Sequence, residues 1–107
     1  MDVIQIKRGD GSLVTCEISK RTLSYYRYHV SFTPIEWKLL TALYEKKGTI
    51  ISRNDLLSLI WGEGNEMPTR TVDVHISSIR KKLTYIKGAR IDSIYGQGYR
   101  FVFLTRF

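Results

Sequence analysis

The chain is poor in the residues that would make it a secreted, membrane-spanning or metal-built protein. It has a single cysteine, Cys16, among 107 residues. That excludes an internal disulfide framework and fits a reducing, cytoplasmic setting. With one cysteine and two histidines there is no ligand-spaced cluster, so no metal and no cofactor are expected. No apolar run approaches the length of a membrane span, and no leader-like segment opens the sequence. Nucleophile–base pairs, phosphate-binding glycine loops and paired carboxylates are also missing. Glu45, Asp55 and Asp92 are scattered, so no enzyme is expected.

Acidic residues become scarce late in the chain. Up to Thr69 there are nine Lys/Arg against eight Asp/Glu, a net of +1. From Arg70 onward there are eight against two, Asp73 and Asp92, a net of +6. Nearly all of the overall +7 thus sits in the last third. A concentrated basic surface attracts a polyanion through counterion release; a solvated basic face kept for solubility is the plainer alternative. At 43% hydrophobic and 25% charged residues the composition is globular, and the length suits one domain, 1–107.

The first third, 1–32, alternates with period two. Ile4 and Ile6 share a face, as do Val14, Cys16 and Ile18; Leu23 and Tyr25, then Val30 and Phe32, continue the pattern. With Gly9-Asp10-Gly11 as a turn, this predicts an antiparallel sheet of four short strands with Cys16 facing inward. The period then lengthens, and three helices are predicted over 33–85. Thr33-Pro34-Ile35-Glu36 has the composition of a capping box, followed by Trp37, Leu39, Leu40, Leu43 and Tyr44 on one arc, with Gly48 as a stop. Ser52-Arg53-Asn54-Asp55 is a second start, ahead of Leu56, Leu57 and Ile60. An acidic, glycine-rich loop covers 62–68, and the third helix runs over about 69–85. Residues 86–107 read as a hairpin, turned by Gly96-Gln97-Gly98, with Tyr99, Phe101 and Phe103 alternating along its second strand.

The third helix carries the most information. At 100° per residue, Val72, Ile76, Ile79 and Leu83 form one narrow core stripe. Opposite lie Arg70, Thr71, Val74, Ser77, Ser78 and Lys81, flanked by Asp73 and Arg80 on one side and His75 and Lys82 on the other. This face is basic, small and hydroxylic around a lone valine, which suits a DNA groove better than a merely solvated helix. Val74 and Ser78 are placed to read bases, and Lys81 and Lys82 to add affinity. Two helices, a basic helix and a glycine-tipped hairpin make an α+β winged helix-turn-helix, with the wing at 95–100 on flanking DNA.

Longer strings now stand out. Phe32-Thr33-Pro34-Ile35-Glu36-Trp37, Ile51-Ser52-Arg53-Asn54-Asp55-Leu56-Leu57 ending in Trp61-Gly62, Arg70-Thr71-Val72-Asp73-Val74-His75-Ile76 with Ile79-Arg80-Lys81-Lys82-Leu83, and Gly96-Gln97-Gly98-Tyr99-Arg100-Phe101 follow one another in order. Together they resemble the output domain of OmpR/PhoB-type bacterial response regulators over the whole chain. The resemblance implies a four-stranded N-terminal sheet, three helices and a wing. It implies regulation of transcription through double-stranded DNA with direct-repeat half-sites, bound by a head-to-tail homodimer. A receiver domain and a sensor kinase are implied as partners if the full protein has them. By the same resemblance Arg70, Thr71, His75, Arg80 and Tyr99 fall where DNA backbone or nearby groove atoms are touched. Trp61 falls where an indole meets a phosphate, and Val74 and Ser78 where bases are read. The wing residues Tyr95 and Gln97 fall on flanking DNA, and Glu63, Asn65 and Glu66 in a loop that contacts RNA polymerase.

Each assignment has a plainer counterpart. Trp61 can close the core, His75 can pack structurally, and the loop acids can simply solubilise. The chain also departs from the family. Ser77 and Ser78 stand where many members have Arg, Tyr95 where several insert Arg into the minor groove, and Tyr26-Arg27 where Asp-Gly is common. Two other uses of the same domain type remain open: a ToxR-like membrane-tethered activator, and a winged helix that binds protein, which would need an apolar patch on the third helix.

Overall fold

A computed structural model describes residues 2–103. Four strands, β1 (Val3–Lys7), β2 (Leu13–Glu17), β3 (Thr22–Tyr25) and β4 (Tyr28–Ser31), form an antiparallel meander in sequence order. Helices α1 (Pro34–Glu45), α2 (Arg53–Trp61) and α3 (Arg70–Leu83) follow. Strands β5 (Ala89–Ile94) and β6 (Gly98–Phe103) close the described chain as a hairpin. The predicted part of that hairpin beyond Phe103 lies outside the described residues.

The sheet follows the period-two pattern at its centre and departs from it at its outer edge. Val14, Leu23, Tyr25, Val30 and Phe32 are buried as expected. Ile4 and Ile18 are exposed, because Ile4 lies on the edge strand and Ile18 falls just past the end of β2. Cys16 is half-buried, and burial pushes its thiol pKa up, which disfavours the reactive thiolate. The first turn closes with Gly11 N–H donating to the Arg8 carbonyl at 2.9 Å and Asp10 Oδ1 accepting from Ser12 N–H, also at 2.9 Å.

Local chemistry sets the start of α1. Thr33 Oγ1 accepts from Glu36 N–H at 3.2 Å, and Glu36 Oε1 accepts from Thr33 N–H at 2.8 Å, so both halves of the capping box form. Phe32 and Trp37 pack ring to ring across this entry, 5.8 Å between centroids, as a hydrophobic staple. At α2 only the forward half forms: Ser52 Oγ accepts from Asp55 N–H at 3.1 Å, and the shorter aspartate does not return the bond.

Helix α3 is shorter at both ends than predicted. Thr69 makes no side-chain cap; Thr71 N–H bonds to the Pro68 carbonyl and Val72 N–H to the Thr69 carbonyl, a tight turn leading into the helix. At the other end Thr84 Oγ1 donates to the Lys81 carbonyl at 2.6 Å. Tyr85 and Ile86 N–H reach only three residues back, so the last turn tightens out of α geometry. The predicted stripe Val72, Ile76, Ile79 and Leu83 is buried against Leu39, Leu43 and Leu56 in a single core.

The hairpin does not stand alone. Ile51 N–H donates to the Tyr99 carbonyl at 2.8 Å and Tyr99 N–H to the Ile51 carbonyl at 3.0 Å, so the connector before α2 forms a short third rung beside β6. Gly98 makes this approach possible. With φ of 143°, a Cβ there would lie 2.8 Å from both the Ile51 carbonyl carbon and Ser52 Cα, and closer still to the Ile51 oxygen.

Candidate nucleic-acid interface

The outer face of α3 is open. Val74 is 57% exposed and is the only large hydrophobic residue of α3 that faces solvent. Arg70, Ser77 and Lys81 are exposed around it, and Thr71, His75 and Ser78 are half-buried at the margins. Among the described residues, none of these side chains makes an internal hydrogen bond or ion pair. The rows of donors and the central methyl groups are therefore available to a ligand. Basic Arg80, Lys81 and Lys82 in the last turn and acidic Asp73 in the first complement the helix dipole.

Trp61, the last residue of α2, packs on the core and lies against His75, ring centroids 6.0 Å apart. Both rings pack, as the plainer alternative for each has it, and both stay only half-buried. At the wing tip Tyr95 is fully exposed, with Gly96 and Gln97 beside it. The turn closes through Gln97 N–H to the Ile94 carbonyl at 2.9 Å, with Gly96 at φ 72°. In the loop after α2, Glu63 and Glu66 point to solvent. Asn65 does not present itself in the same way: it donates to the Gly62 carbonyl at 2.7 Å and accepts from Met67 N–H at 3.0 Å, bracing the loop from within.

Three residues expected on the DNA are engaged inside the fold. Lys82 Nζ meets Glu36 Oε1 at 2.6 Å, and Glu36 is only 4% exposed. Burial works to raise the Glu36 pKa, but hydrogen bonds from Lys82 and Thr33 outweigh it and hold the carboxyl below its usual range. Lys82 thus ties α3 to the start of α1. Arg80 turns onto β5, donating through Nε (3.0 Å) and Nη2 (2.8 Å) to the Ile91 carbonyl and through Nη2 to Ser93 Oγ (2.7 Å). Its guanidinium lies 5.5 Å from the centre of the Tyr99 ring. Tyr99 itself is buried, and its hydroxyl donates to Asp73 Oδ1 at 2.6 Å. Burial, then that bond, pushes its pKa up to about 12.

Asp73 is the residue that sequence reasoning passed over. Besides Tyr99 it receives two N–H groups from one edge of the Arg53 guanidinium, Nε to Oδ1 at 3.0 Å and Nη2 to Oδ2. Burial opposes ionisation here too, but the Tyr99 and Arg53 bonds prevail and keep the carboxyl below the ordinary range. The one available signal was an acid standing alone beside a basic helix face.

A sheet, three helices with a solvent-facing basic third helix, and a wing hung from that helix define a winged helix-turn-helix domain. The chain belongs to the family of transcriptional regulatory protein C-terminal domains, whose model matches residues 27–101; these are the DNA-binding domains of OmpR/PhoB-type response regulators. The transcriptional regulatory protein CseB of Streptomyces avermitilis is 41% identical over 71 residues, which cover 66% of this chain and 29% of CseB. The heme response regulator HssR of Staphylococcus epidermidis is 41% identical over 66 residues, covering 61% and 30%. The chain thus spans about 30% of the length of these curated relatives. Among solved structures, the Klebsiella pneumoniae RstA DNA-binding domain in complex with the RstA box superposes with a TM-score of 0.70 at 28% identity. The match covers 92% of this chain and 96% of that one. Thermotoga maritima DrrB, an OmpR/PhoB homolog, gives 0.69 at 25% identity over 83% and 41%. These relatives are transcriptional regulators rather than enzymes. No helix among the described residues is long and apolar enough to cross a membrane.

Proposed function

We propose that the domain reads double-stranded DNA with α3 in the major groove and the wing tip, Tyr95 to Gln97, on flanking DNA. The carrying observation is the open strip Arg70, Val74, Ser77, Ser78 and Lys81, the part of α3 whose side chains the fold leaves unused. Its single exposed valine is too small a patch for a protein-docking face. Thr71, His75 and Trp61 border the strip and face the phosphates; the Nη1 edge of Arg80, outside its bonds to β5, is a further phosphate donor. Tyr99 acts through Asp73 and not by touching DNA, and Lys82 acts through Glu36.

By kinship with response regulators, the chain is the output part of a longer protein in which a receiver domain answers a sensor kinase. It binds direct-repeat half-sites as a head-to-tail pair, and loop 62–68 meets RNA polymerase through Glu63 and Glu66. The RstA domain, solved on its DNA box, supports the DNA-binding reading most directly.

Selection of bound duplexes from a random library tests the reading. A defined preferred sequence is expected. Val74→Ala should weaken one base pair by a fraction of the roughly 1–3 kcal/mol of a good base contact, and Ser78→Arg should shift preference toward guanine at its position. Base preferences unmoved by both substitutions would remove α3 as the reading element.

A further inference from the structure

The geometry points to Asp73 as the positioning residue of the interface: by holding Arg53 of α2 and Tyr99 of β6 on one carboxylate, it fixes the angle of the wing to α3 and couples wing contact to helix contact. This rests on the proposal that the wing tip touches DNA. The reasoning begins with an anomaly. Asp73 is one of two acids after Thr69, and it sits in the first turn of the helix that faces a polyanion. A negative charge there repels phosphate, so its presence needs a cause stronger than helix propensity.

The hydrogen bonds supply that cause. Oδ1 accepts from both Arg53 Nε (3.0 Å) and the Tyr99 hydroxyl (2.6 Å), while Oδ2 accepts from Arg53 Nη2 on the same guanidinium edge. One carboxylate thus joins α2, α3 and β6, whose partners lie 20 and 26 residues away in sequence. The other ties act along different directions. The Ile51–Tyr99 rung, with Gly48 N–H donating to the Phe101 carbonyl at 3.0 Å, holds the backbone of β6 to the α1–α2 connector, but neither bond reaches α3. Arg80 grips β5 at Ile91 and Ser93, on the far strand. Among the described residues, the Tyr99–Asp73 bond is the one hydrogen bond from a β6 side chain to the reading helix, and the Arg80 guanidinium adds a cation–π contact on the face of the same ring.

The lever is long enough for this to matter. The chain turns back at the tip, so Tyr95 and Gln97 both stand two residue spacings beyond the Ser93–Tyr99 pair, about 7 Å along the hairpin. A rotation of some 10° at Tyr99 would move the tip by roughly 1–2 Å, enough to break a hydrogen bond.

A double-mutant cycle on the full chain tests this, using the fluorescently labelled duplex recovered by selection on the wild-type protein. The four proteins are wild type, Asp73→Asn, a tip variant with Tyr95→Ala and Gln97→Ala, and the combination. Asp73→Asn should bind about five- to tenfold more weakly, comparable to one lost hydrogen bond, although it is one charge more positive. A purely electrostatic role would strengthen binding instead. In the Asp73→Asn background the tip substitutions should have little further effect, because the tip is already out of place. Multiplying penalties would overturn the positioning role and leave the wing contact standing. A tip variant that binds as wild type would remove the wing contact, and the proposal with it. Circular dichroism establishes that each variant is folded. If Asp73→Asn is not, Tyr99→Phe removes only the hydroxyl and must show the same coupling.

Discussion

Replacing Gly98 by alanine puts a methyl group against the carbonyl of Ile51. The new Cβ would stand 2.8 Å from Ile51 C and Ser52 Cα, where ordinary contact is 3.4–4 Å. Relieving the overlap means parting β6 from the α2 connector by something near an ångström. That breaks both backbone bonds of the Ile51–Tyr99 rung, at about 0.5–1.5 kcal/mol each. Holding an alanine at φ 143° costs roughly another 1–3 kcal/mol. The total is on the order of 3–5 kcal/mol, a large part of the 5–15 kcal/mol of a typical domain. At about 4–5 °C per kcal/mol for a chain near this size, the melting temperature should fall by roughly 12–25 °C. Gly96→Ala is the internal control. Its φ is also positive, at 72°, but nothing lies within 4 Å of the added Cβ, so only the conformational cost remains. Thermal and urea unfolding of the two variants, followed by circular dichroism, isolates the steric part. A Gly98→Ala protein that melts within about 5 °C of wild type, or no lower than Gly96→Ala, would refute the close approach of wing and connector.

The two neighbouring lysines should separate cleanly: Lys82→Met should lose about 1–3 kcal/mol of stability by stranding Glu36, with little change in salt dependence, whereas Lys81→Ala should leave stability alone and flatten the log affinity–log salt slope by about 0.9. Equal effects in both assays would contradict the assignment. Glu36 and Asp73 have folded pKa values below their ordinary 4.5 and 3.8, so their contribution is full above those values and is lost as pH falls through the lower folded ones. Glu36→Gln should therefore melt below wild type at neutral pH, and the gap should close in acid; a gap constant down to about pH 3 would exclude the ion pair as its source. Glu63→Lys with Glu66→Lys should keep or raise DNA affinity while lowering activated transcription in vitro, and unchanged transcription would reduce the loop to a connector.

Features that depend on near neighbours were legible in the sequence. The capping box of Thr33 and Glu36 and the stripe Val72, Ile76, Ile79 and Leu83 lie within one or a few helical turns, where spacing dictates contact. The open strip around Val74 followed from the same periodicity. Hidden were the second partners. Glu36 finds Lys82 at a separation of 46 residues, and Asp73 finds Tyr99 at 26, through packing that no single-chain pattern encodes. For that reason Lys82 and Tyr99 passed as DNA contacts on position alone. The sheet edge failed differently: alternation marks Ile4 and Ile18 as inward, yet inward positions at an edge or past a strand end still meet water.

The division between used and unused side chains on α3 bears on how such a domain acquires new targets. Among the described residues, the side chains of Val74, Ser77, Ser78 and Lys81 make no hydrogen bond or ion pair, so a substitution there changes what is read at almost no cost to folding. Asp73, Arg80 and Lys82 belong to the frame, and a change at any of them is felt first as lost stability or a displaced wing. Variation can therefore explore operator sequences at a few positions of one helix while selection on folding keeps their neighbours fixed. A duplicated copy of this domain could drift to a new binding site in single steps, each still folded.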